Sequence, residues 1–226
     1  ARRFAREGYT ACVTRRSLDK LQPLLEQIRA DGGTAHGFAS DARKEEEVIA
    51  LVDQIESTLG PIEVLVFNIG ANVPCSILDE TARKYFKIWE MACLGGFLNG
   101  REVARRMVAR EGDGRQRTIV FTGATASLRG AANFAAFAGA KHALRALAQS
   151  MARELGPKGI HVAHPVIDGA IDTEFIRSNF PDRYAMKEQH GIVNPDSIAE
   201  AYWQLHRQPR DAWTHETELR PWMENW

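Results

Sequence analysis

No run of apolar residues in the 226-residue sequence reaches the roughly 18 that a helix needs to cross a bilayer. The sequence also lacks an excess of charge of either sign, because 29 Lys and Arg residues balance 29 Asp and Glu residues. A nucleic-acid-binding protein normally carries a basic surplus that neutralises phosphates, so this balance argues against that class of function. We therefore expect neither a membrane nor a nucleic acid as a partner.

Cysteine is scarce as well. Cys12, Cys75 and Cys93 are odd in number and widely spaced, and they show no metal-ligand pattern. Two of them fall inside apolar segments, where a buried free thiol is the common state. These features predict a reduced protein of the cytoplasm without a metal site.

What the sequence contains is an alternation of apolar strands and amphipathic helices. Val64–Phe67 is a continuous apolar run, which is typical of a parallel strand covered on both faces. We predict further strands at 9–14, 34–39, 118–122, 160–166 and 213–219, and helices at 45–59, 79–91, 97–110, 134–155 and 197–207. Alternation of this kind predicts one α/β domain over residues 1–226, with a doubly wound, Rossmann-type parallel sheet.

The first residues of the chain predict that part of the domain precedes them. Residue 1 is not methionine, and the chain opens in a predicted helix that Gly8 ends. In the strand order 3-2-1-4-5-6, the first strand is central and leads into the Gly-rich phosphate turn. Without it, the neighbouring strands would expose unpaired backbone groups in mid-sheet. We expect about 20 residues, one strand and its turn, to precede Ala1, so that the domain is incomplete.

Two arginines, Arg15 and Arg16, follow the strand predicted at 9–14. In a dinucleotide-binding fold this position meets the adenosine ribose, where an acid selects the 2′-hydroxyl and an arginine accepts a 2′-phosphate. The alternative is a solvated pair at a helix start, where positive charge opposes the helix dipole. We predict NADP rather than NAD.

Short polar and glycine-containing segments follow the next two strands. Asp41 and Ala42 come after the strand at 34–39, and Asn68 and Gly70 come after Val64–Phe67. Gly70 permits close approach of backbone to a ligand. Each segment is a candidate cofactor contact, and a simple turn is the equal alternative.

The stretch from Thr118 to Gly130, together with Phe137-Ala-Gly-Ala-Lys141, resembles the short-chain dehydrogenase/reductase family. The resemblance runs nearly end to end. Asn68-Ile69-Gly70 is similar to the family's Asn-Ala-Gly motif, and residues 155–160 are similar to the turn into its sixth strand. Gly169 and Thr173 stand where the family has a Pro-Gly glycine and a threonine that contacts the cofactor.

The resemblance implies an NAD(P)-binding fold, hydride transfer on alcohols and carbonyls, and a homodimer or homotetramer. The family's catalytic set is a Tyr and a Lys one helical turn apart, a Ser thirteen residues before the Tyr, and an Asn on an earlier helix. Residues i and i+4 share a helix face, so the ammonium lowers the phenol pKa and helps the phenol exchange a proton with the substrate.

Three of these four positions are substituted here. Lys141 is retained, but Phe137 occupies the tyrosine position, Ala124 the serine position and Ala92 the asparagine position. Positioned acid–base catalysis typically contributes 10²–10⁴-fold, or about 3–5 kcal/mol of barrier. The ordinary mechanism therefore cannot run.

Two interpretations remain open: another group relays the proton, or the fold binds a dinucleotide without this chemistry. The candidate substitutes are Ser127, Asn72, His142 and Asp168. His142 lies about 100° around the helix from Lys141 and is expected to face elsewhere. Ser127 is favoured as a residue that caps or lines its loop. In either case Lys141 can hold the cofactor ribose.

Other polar residues receive weaker interpretations. Five histidines share no metal spacing and are expected to be structural or on the surface: His161, His164, His190, His206 and His215. Four arginines lie on a helix that in the family often forms a subunit interface, with a solvated face as the equal alternative: Arg101, Arg105, Arg106 and Arg110. Residues 175–193 match the family's variable substrate loop.

The leading prediction is an NADP(H)-dependent oxidoreductase of the short-chain type that acts on an unknown alcohol or carbonyl. The alternative is a catalytically inactive dinucleotide-binding pseudoenzyme or partner-binding protein.

Overall fold

The computed structural model describes residues 1–110 and 112–224, in which parallel strands alternate with helices. The strands are β1 (Ala11–Arg15), β2 (Ala35–Ala39), β3 (Val64–Phe67), β4 (Arg117–Phe121), β5 (Gly123–Ala124), β6 (Ile160–Ile167) and β7 (Glu216–Leu219). The helices are α1 (Arg2–Arg6), α2 (Gln22–Ala30), α3 (Glu45–Thr58), α4 (Ala82–Trp89), α5 (Gly95–Ala109), α6 (Ala135–Leu155), α7 (Glu174–Asn179), α8 (Pro181–Ala185) and α9 (Pro195–Arg207). None of the described helices is both long and apolar enough to cross a membrane.

All strand pairs of the described residues are parallel. β3 pairs with β4 and β4 with β6, so that Val64 lies opposite Thr118 and Thr118 opposite His161. β5 and β7 pair with the second half of β6, while β1 and β2 form a separate pair. This arrangement confirms the predicted α/β class with a parallel sheet.

Strand β4 shows how both faces of the sheet are covered. Its residues alternate between two cores, as the two-residue period of a strand requires. Ile119 and Phe121 pack in the core built with α5 and α6, whereas Val120 packs with aromatic residues of α1 and α9. All five residues of β4 are buried, so the sheet has helices on both sides, as a doubly wound fold requires.

Strand β3 departs from the prediction of a strand covered on both faces. The side chain of Val66 is 37% exposed, and Val64 and Leu65 are only partly buried. Within the described residues β3 has a strand partner on one edge alone, and the same holds for β1. The first strand that the sequence predicts between β1 and β3 remains a prediction.

Helix α1 joins the two sheets. Phe4 makes edge-on ring contacts with Tyr9 and with Trp203 of α9, at centroid distances of 5.8 and 5.3 Å. Ala5, the next residue, packs instead in the core of β1, β2 and α2. Gly8 follows the helix with φ +89°, a left-handed conformation that confirms it as the predicted helix end.

Helices α4 and α5 were predicted as two separate helices, but in the structure they are continuous. A π-helical turn, Glu90–Leu94, joins them, and Ala92 lies in this turn. Beyond it, a Cβ on Gly96 would lie 2.6 Å from Leu144 Cδ1, so a larger residue at this position would force the Leu144 side chain to move.

The last strand is shorter than predicted, because β7 begins at Glu216 and not at residue 213. Residues 213 and 214 instead bond to Gln208: the Thr214 N–H donates to Gln208 Oε1 at 2.7 Å, and Trp213 Nε1 donates to the Gln208 carbonyl at 3.3 Å. These bonds take the place of strand pairing for this segment.

Replacement of Phe4 tests whether α1 holds the sheets together. We expect Phe4→Ala to lower the free energy of unfolding by about 3 kcal/mol, the low end for deleting a buried phenylalanine. Arg6→Ala, on the same helix, should change it by less than about 0.5 kcal/mol, because exposed ion pairs contribute little. Urea denaturation of both variants measures this. Equal effects would show that the ring contacts do not support the fold.

Candidate active site

Lys141 lies at the carboxyl ends of the central strands, where ligands bind in open α/β sheets. Its side chain on α6 is buried, and Nζ donates to the Thr122 carbonyl after β4 at 2.8 Å and to the Ile69 carbonyl after β3 at 3.4 Å. Burial lowers the pKa of Lys141 to about 8, since charge is less stable away from water. A buried ammonium of this kind is typical of functional sites.

The three positions that were predicted to match the family's tyrosine, serine and asparagine meet beside this lysine. Phe137 precedes Lys141 by one helical turn, and its ring centroid lies 5.9 Å from Nζ. Phe137 and Ala92 belong to one apolar cluster, against which Ala124 packs; its other buried members are Ala71, Ile88, Ala136 and Ala140. We call this group the apolar site cluster. The spacing of the sequence motifs thus indicates residues that lie together, although their assigned catalytic roles remain predictions.

The loop after β5 is fixed by its own side chains. Ser127 is buried, and its hydroxyl oxygen accepts a hydrogen bond from the Ala124 N–H at 3.1 Å, which is the loop-capping role that was favoured for it. Asp168, only 1% exposed at the end of β6, accepts a hydrogen bond from the Thr125 hydroxyl at 2.5 Å. Arg129 Nη2 lies 3.4 Å from both carboxylate oxygens of Asp168.

The other two candidate substitutes are exposed. His142 faces away from the cluster, as expected from its position on the helix, and its Nδ1 lies 2.9 Å from the Ala138 carbonyl oxygen. Asn72 follows the buried Ala71 on an exposed loop.

A shallow cleft lies at the carboxyl ends of β1 and β2, and its lining includes Arg16, Ser40 and Asp41. Arg15 and Arg16 are both exposed. The Ser40 hydroxyl is buried without a hydrogen-bond partner, which is unusual for a native polar group. Hydrogen bonding to Arg43 lowers the pKa of Asp41 to about 2, so this carboxylate stays charged; sequence reasoning missed Arg43.

The remaining predicted cofactor contacts lie along the same edge of the sheet. Asn68 and Gly70 are exposed after β3, while the Ala42 carbonyl accepts a hydrogen bond from Asn99 Nδ2 at 3.3 Å. Gly169 has φ +145° after β6. Thr173 is exposed and caps α7, because its hydroxyl oxygen accepts from the Ile176 N–H at 3.3 Å.

A buried charge cluster below the loop was not foreseen as such. The imidazole of His164 is buried without a hydrogen bond, and its Nδ1 lies 3.5 Å from Glu216 Oε1. Arg145 binds both oxygens of Glu216, at 2.7 and 2.8 Å. Burial lowers the pKa of His164 to about 4, so this histidine is neutral at neutral pH. A Cβ on Gly123 would lie 2.7 Å from His164 Cε1, so only glycine fits.

The other singled-out residues have structural contacts. No group of three His, Cys, Asp or Glu residues in the described part of the chain could hold a metal ion. Three of the four arginines on α5 or directly after it pair with acids of α3: Arg101 with Glu45, Arg106 with Asp53, and Arg110 with Glu56. Arg105 lies 3.3 Å from Glu102 on its own helix. The predicted substrate loop contains α7 and α8, with Phe175 and Phe180 exposed.

The fold and the site define a doubly wound α/β domain with a buried lysine at the carboxyl ends of its strands. The chain belongs to the short-chain dehydrogenase family: the family profile, described as short chain dehydrogenase, matches residues 1–183.

Comparison with individual proteins supports the same family assignment. A solved short-chain dehydrogenase from Rhodopseudomonas palustris is 47% identical, covers 98% of this chain and 91% of its own, and superposes with a TM-score of 0.80. Sorbitol-6-phosphate 2-dehydrogenase of Escherichia coli (strain K12) is 28% identical over 201 residues, which are 88% of this chain and 75% of the relative. A solved alcohol dehydrogenase from Thermococcus sibiricus, complexed with 5-hydroxy-NADP, has a TM-score of 0.84 at 22% identity, covering 99% of this chain and 91% of its own.

Acid stability tests the account of His164. Because the unfolded histidine binds a proton near pH 6.5 and the folded one only near 4, stability should fall as the pH falls through this range. Between pH 6.5 and 4.5 the protein should lose about 2–3 kcal/mol more than His164→Leu, at 1.36 kcal/mol per pKa unit. Denaturation at a series of pH values measures this loss. His142→Gln should behave as the wild type does, and an unchanged pH dependence in His164→Leu would refute the account.

Proposed function

We propose that this chain is an NADP(H)-dependent oxidoreductase that acts on an alcohol or carbonyl compound with a proton source other than tyrosine. The observation that carries the proposal is the position of Lys141. Its side chain is buried where β3 and β4 end, and Nζ donates hydrogen bonds to the carbonyls of Ile69 after β3 and Thr122 after β4. A buried ammonium is costly to retain in a site that has lost all chemical use. Membership of the short-chain dehydrogenase family supports hydride transfer as the reaction type.

The residues present fit a dinucleotide. The cleft at the ends of β1 and β2 offers the exposed guanidinium of Arg16 and the unpartnered hydroxyl of Ser40, which suit phosphate and ribose oxygens. When bound, the nicotinamide supplies or accepts the hydride. Along the edge of the sheet, seven residues are proposed to contact the rest of the cofactor: Asp41, Ala42, Asn68, Gly70, Lys141, Gly169 and Thr173.

Selection of NADP is assigned to Arg15 and Arg16. Both side chains are exposed at the end of β1, where an arginine accepts a 2′-phosphate. The complex of the Thermococcus sibiricus alcohol dehydrogenase with 5-hydroxy-NADP supports this choice by similarity of fold.

A second candidate is an inactive dinucleotide-binding pseudoenzyme or partner-binding protein. The apolar site cluster favours it, because Phe137, Ala124 and Ala92 replace three polar groups and none of them has a proton to give. Absorbance at the nicotinamide band with a panel of carbonyls, measured beside NADPH binding, separates the two candidates. Binding without turnover would favour the pseudoenzyme.

We also infer a homodimer or homotetramer in the cytoplasm, as the family pattern implies.

Cofactor selection can be measured directly by nicotinamide fluorescence with full-length protein. We expect NADPH to bind at least about tenfold more tightly than NADH, a difference near 1.4 kcal/mol. Arg15→Ala and Arg16→Ala should remove most of this preference. Lys20→Ala, which deletes a nearby exposed charge outside the cleft, should preserve it. Equal affinities of the wild type for both cofactors would remove the case for NADP.

Restoring the lost hydroxyls tests the site assignment. The double change Ala124→Ser with Phe137→Tyr places a serine and a tyrosine beside Lys141, so carbonyl reduction should rise by roughly 10²-fold. Neither change alone should do as much, since such groups act as a unit. Steady-state kinetics of the three variants measure the effect. If the wild type reduces carbonyls at ordinary rates and the double change slows it, a different relay is already in use and the pseudoenzyme reading is wrong.

A further inference from the structure

We propose that Lys141 itself exchanges the proton with the substrate oxygen in this protein, the task that tyrosine performs in the family pattern. The inference rests on the oxidoreductase function proposed above, because a proton is required only where a hydride is transferred.

The geometry around Nζ supports this role. The ammonium has three N–H donors, and the carbonyls of Thr122 and Ile69 accept two of them. Among the described residues, no third acceptor lies within hydrogen-bond distance of Nζ. The Phe137 ring, 5.9 Å from Nζ, has no hydroxyl to stand between the ammonium and a substrate. Lys141 thus brings an ionisable group with an exchangeable proton to the side of the apolar site cluster.

The other candidates are held elsewhere by the structure. The Ser127 hydroxyl is buried against the Ala124 N–H, and the Asp168 carboxylate is bound by Thr125 and Arg129. His142 is exposed on another face of α6. The amide of Asn72 does not ionise near neutral pH.

The charges around Lys141 leave its ammonium easy to deprotonate. On β6, His164 is neutral, and on β7, Glu216 is bound by Arg145 of α6. On α9, the Tyr202 hydroxyl lies 2.8 Å from Thr122 Oγ1, and burial raises the pKa of Tyr202 to about 12. Burial therefore dominates at Lys141 and lowers its pKa to about 8, close to the working pH that suits a general acid.

The step balances as a two-electron reduction. A bound reduced nicotinamide would supply the hydride to the substrate carbonyl carbon, and the π electron pair of the C=O bond would move onto oxygen. That oxygen forms an O–H bond with a proton of Lys141 as the N–H bond breaks, which leaves a neutral amine. Water then returns a proton to the amine. In the oxidative direction the neutral amine accepts the proton of the alcohol.

The direction of the pH dependence follows from the protonation state of Lys141 that each reaction needs. Reduction needs the ammonium, so its kcat/KM should fall as the pH rises through about 8, whereas oxidation needs the amine and should rise through the same range.

Lys141→Arg provides the sharpest test. Arginine keeps the positive charge and the donors to the carbonyls, but it cannot be deprotonated at these pH values. With NADPH held at saturation, we expect carbonyl reduction to fall by at least 10²-fold, and NADPH affinity measured beside it separates any loss of cofactor binding from the loss of proton transfer. Lys158→Arg, at an exposed turn, should match the wild type in both measurements.

Two further measurements remain informative if the arginine variant folds poorly. In Lys141→Ala, added ethylamine should restore reduction by at least tenfold, because its ammonium can give a proton. Guanidinium, a cation that holds its protons, should not. Separately, ¹⁵N NMR of the wild-type lysine side chains should show one titration near pH 8 that is absent from Lys141→Arg.

The outcomes separate this inference from the proposed function. Wild-type protein that binds NADPH without reducing any carbonyl would overturn both. Turnover that survives in Lys141→Arg, equal rescue by guanidinium, or a Lys141 titration near the ordinary value of 10.5 would overturn the inference alone.

Discussion

The ammonium of Lys141 is the constraint on which the rest of the site depends. A buried charge is tolerated only where hydrogen-bond acceptors replace water, and here the carbonyls of Thr122 and Ile69 serve that purpose. These carbonyls follow β4 and β3, so one side chain ties α6 to the ends of two neighbouring strands. The position of Phe137, one turn earlier on α6, is fixed by the same contact.

Around this charge the site is apolar where the family pattern is polar. Phe137, Ala92 and Ala124 come from three different elements and meet in one cluster, so their substitutions have a common consequence. Polar partners that would share the proton are absent from these three positions, and burial is then the main influence on the lysine. An ammonium with a lowered pKa differs from the ordinary cofactor-holding lysine, because it can release its proton near neutral pH.

Much of the fold could be predicted from sequence, since the apolar run at residues 118–122 and the helical pattern of residues 45–59 both mark segments that the structure buries against the sheet core. Motif spacing likewise brought together Lys141, Phe137 and Ala124. Contacts between distant segments could not be predicted: the pairing of Arg145 with Glu216, the burial of His164 beside Gly123, and the π-turn that carries Ala92 all depend on packing.

The central proposal is that this site transfers a hydride although Phe137 and Ala124 stand where the family resemblance predicts a tyrosine and a serine. Isotope transfer tests it most directly, with full-length protein, NADPH that carries deuterium at the transferable C4 position, and a panel of carbonyl compounds analysed by mass spectrometry. The account predicts deuterium at the carbinol carbon of at least one product alcohol, with loss of the label from the cofactor. NADPH that binds and keeps its deuterium with every carbonyl would contradict it.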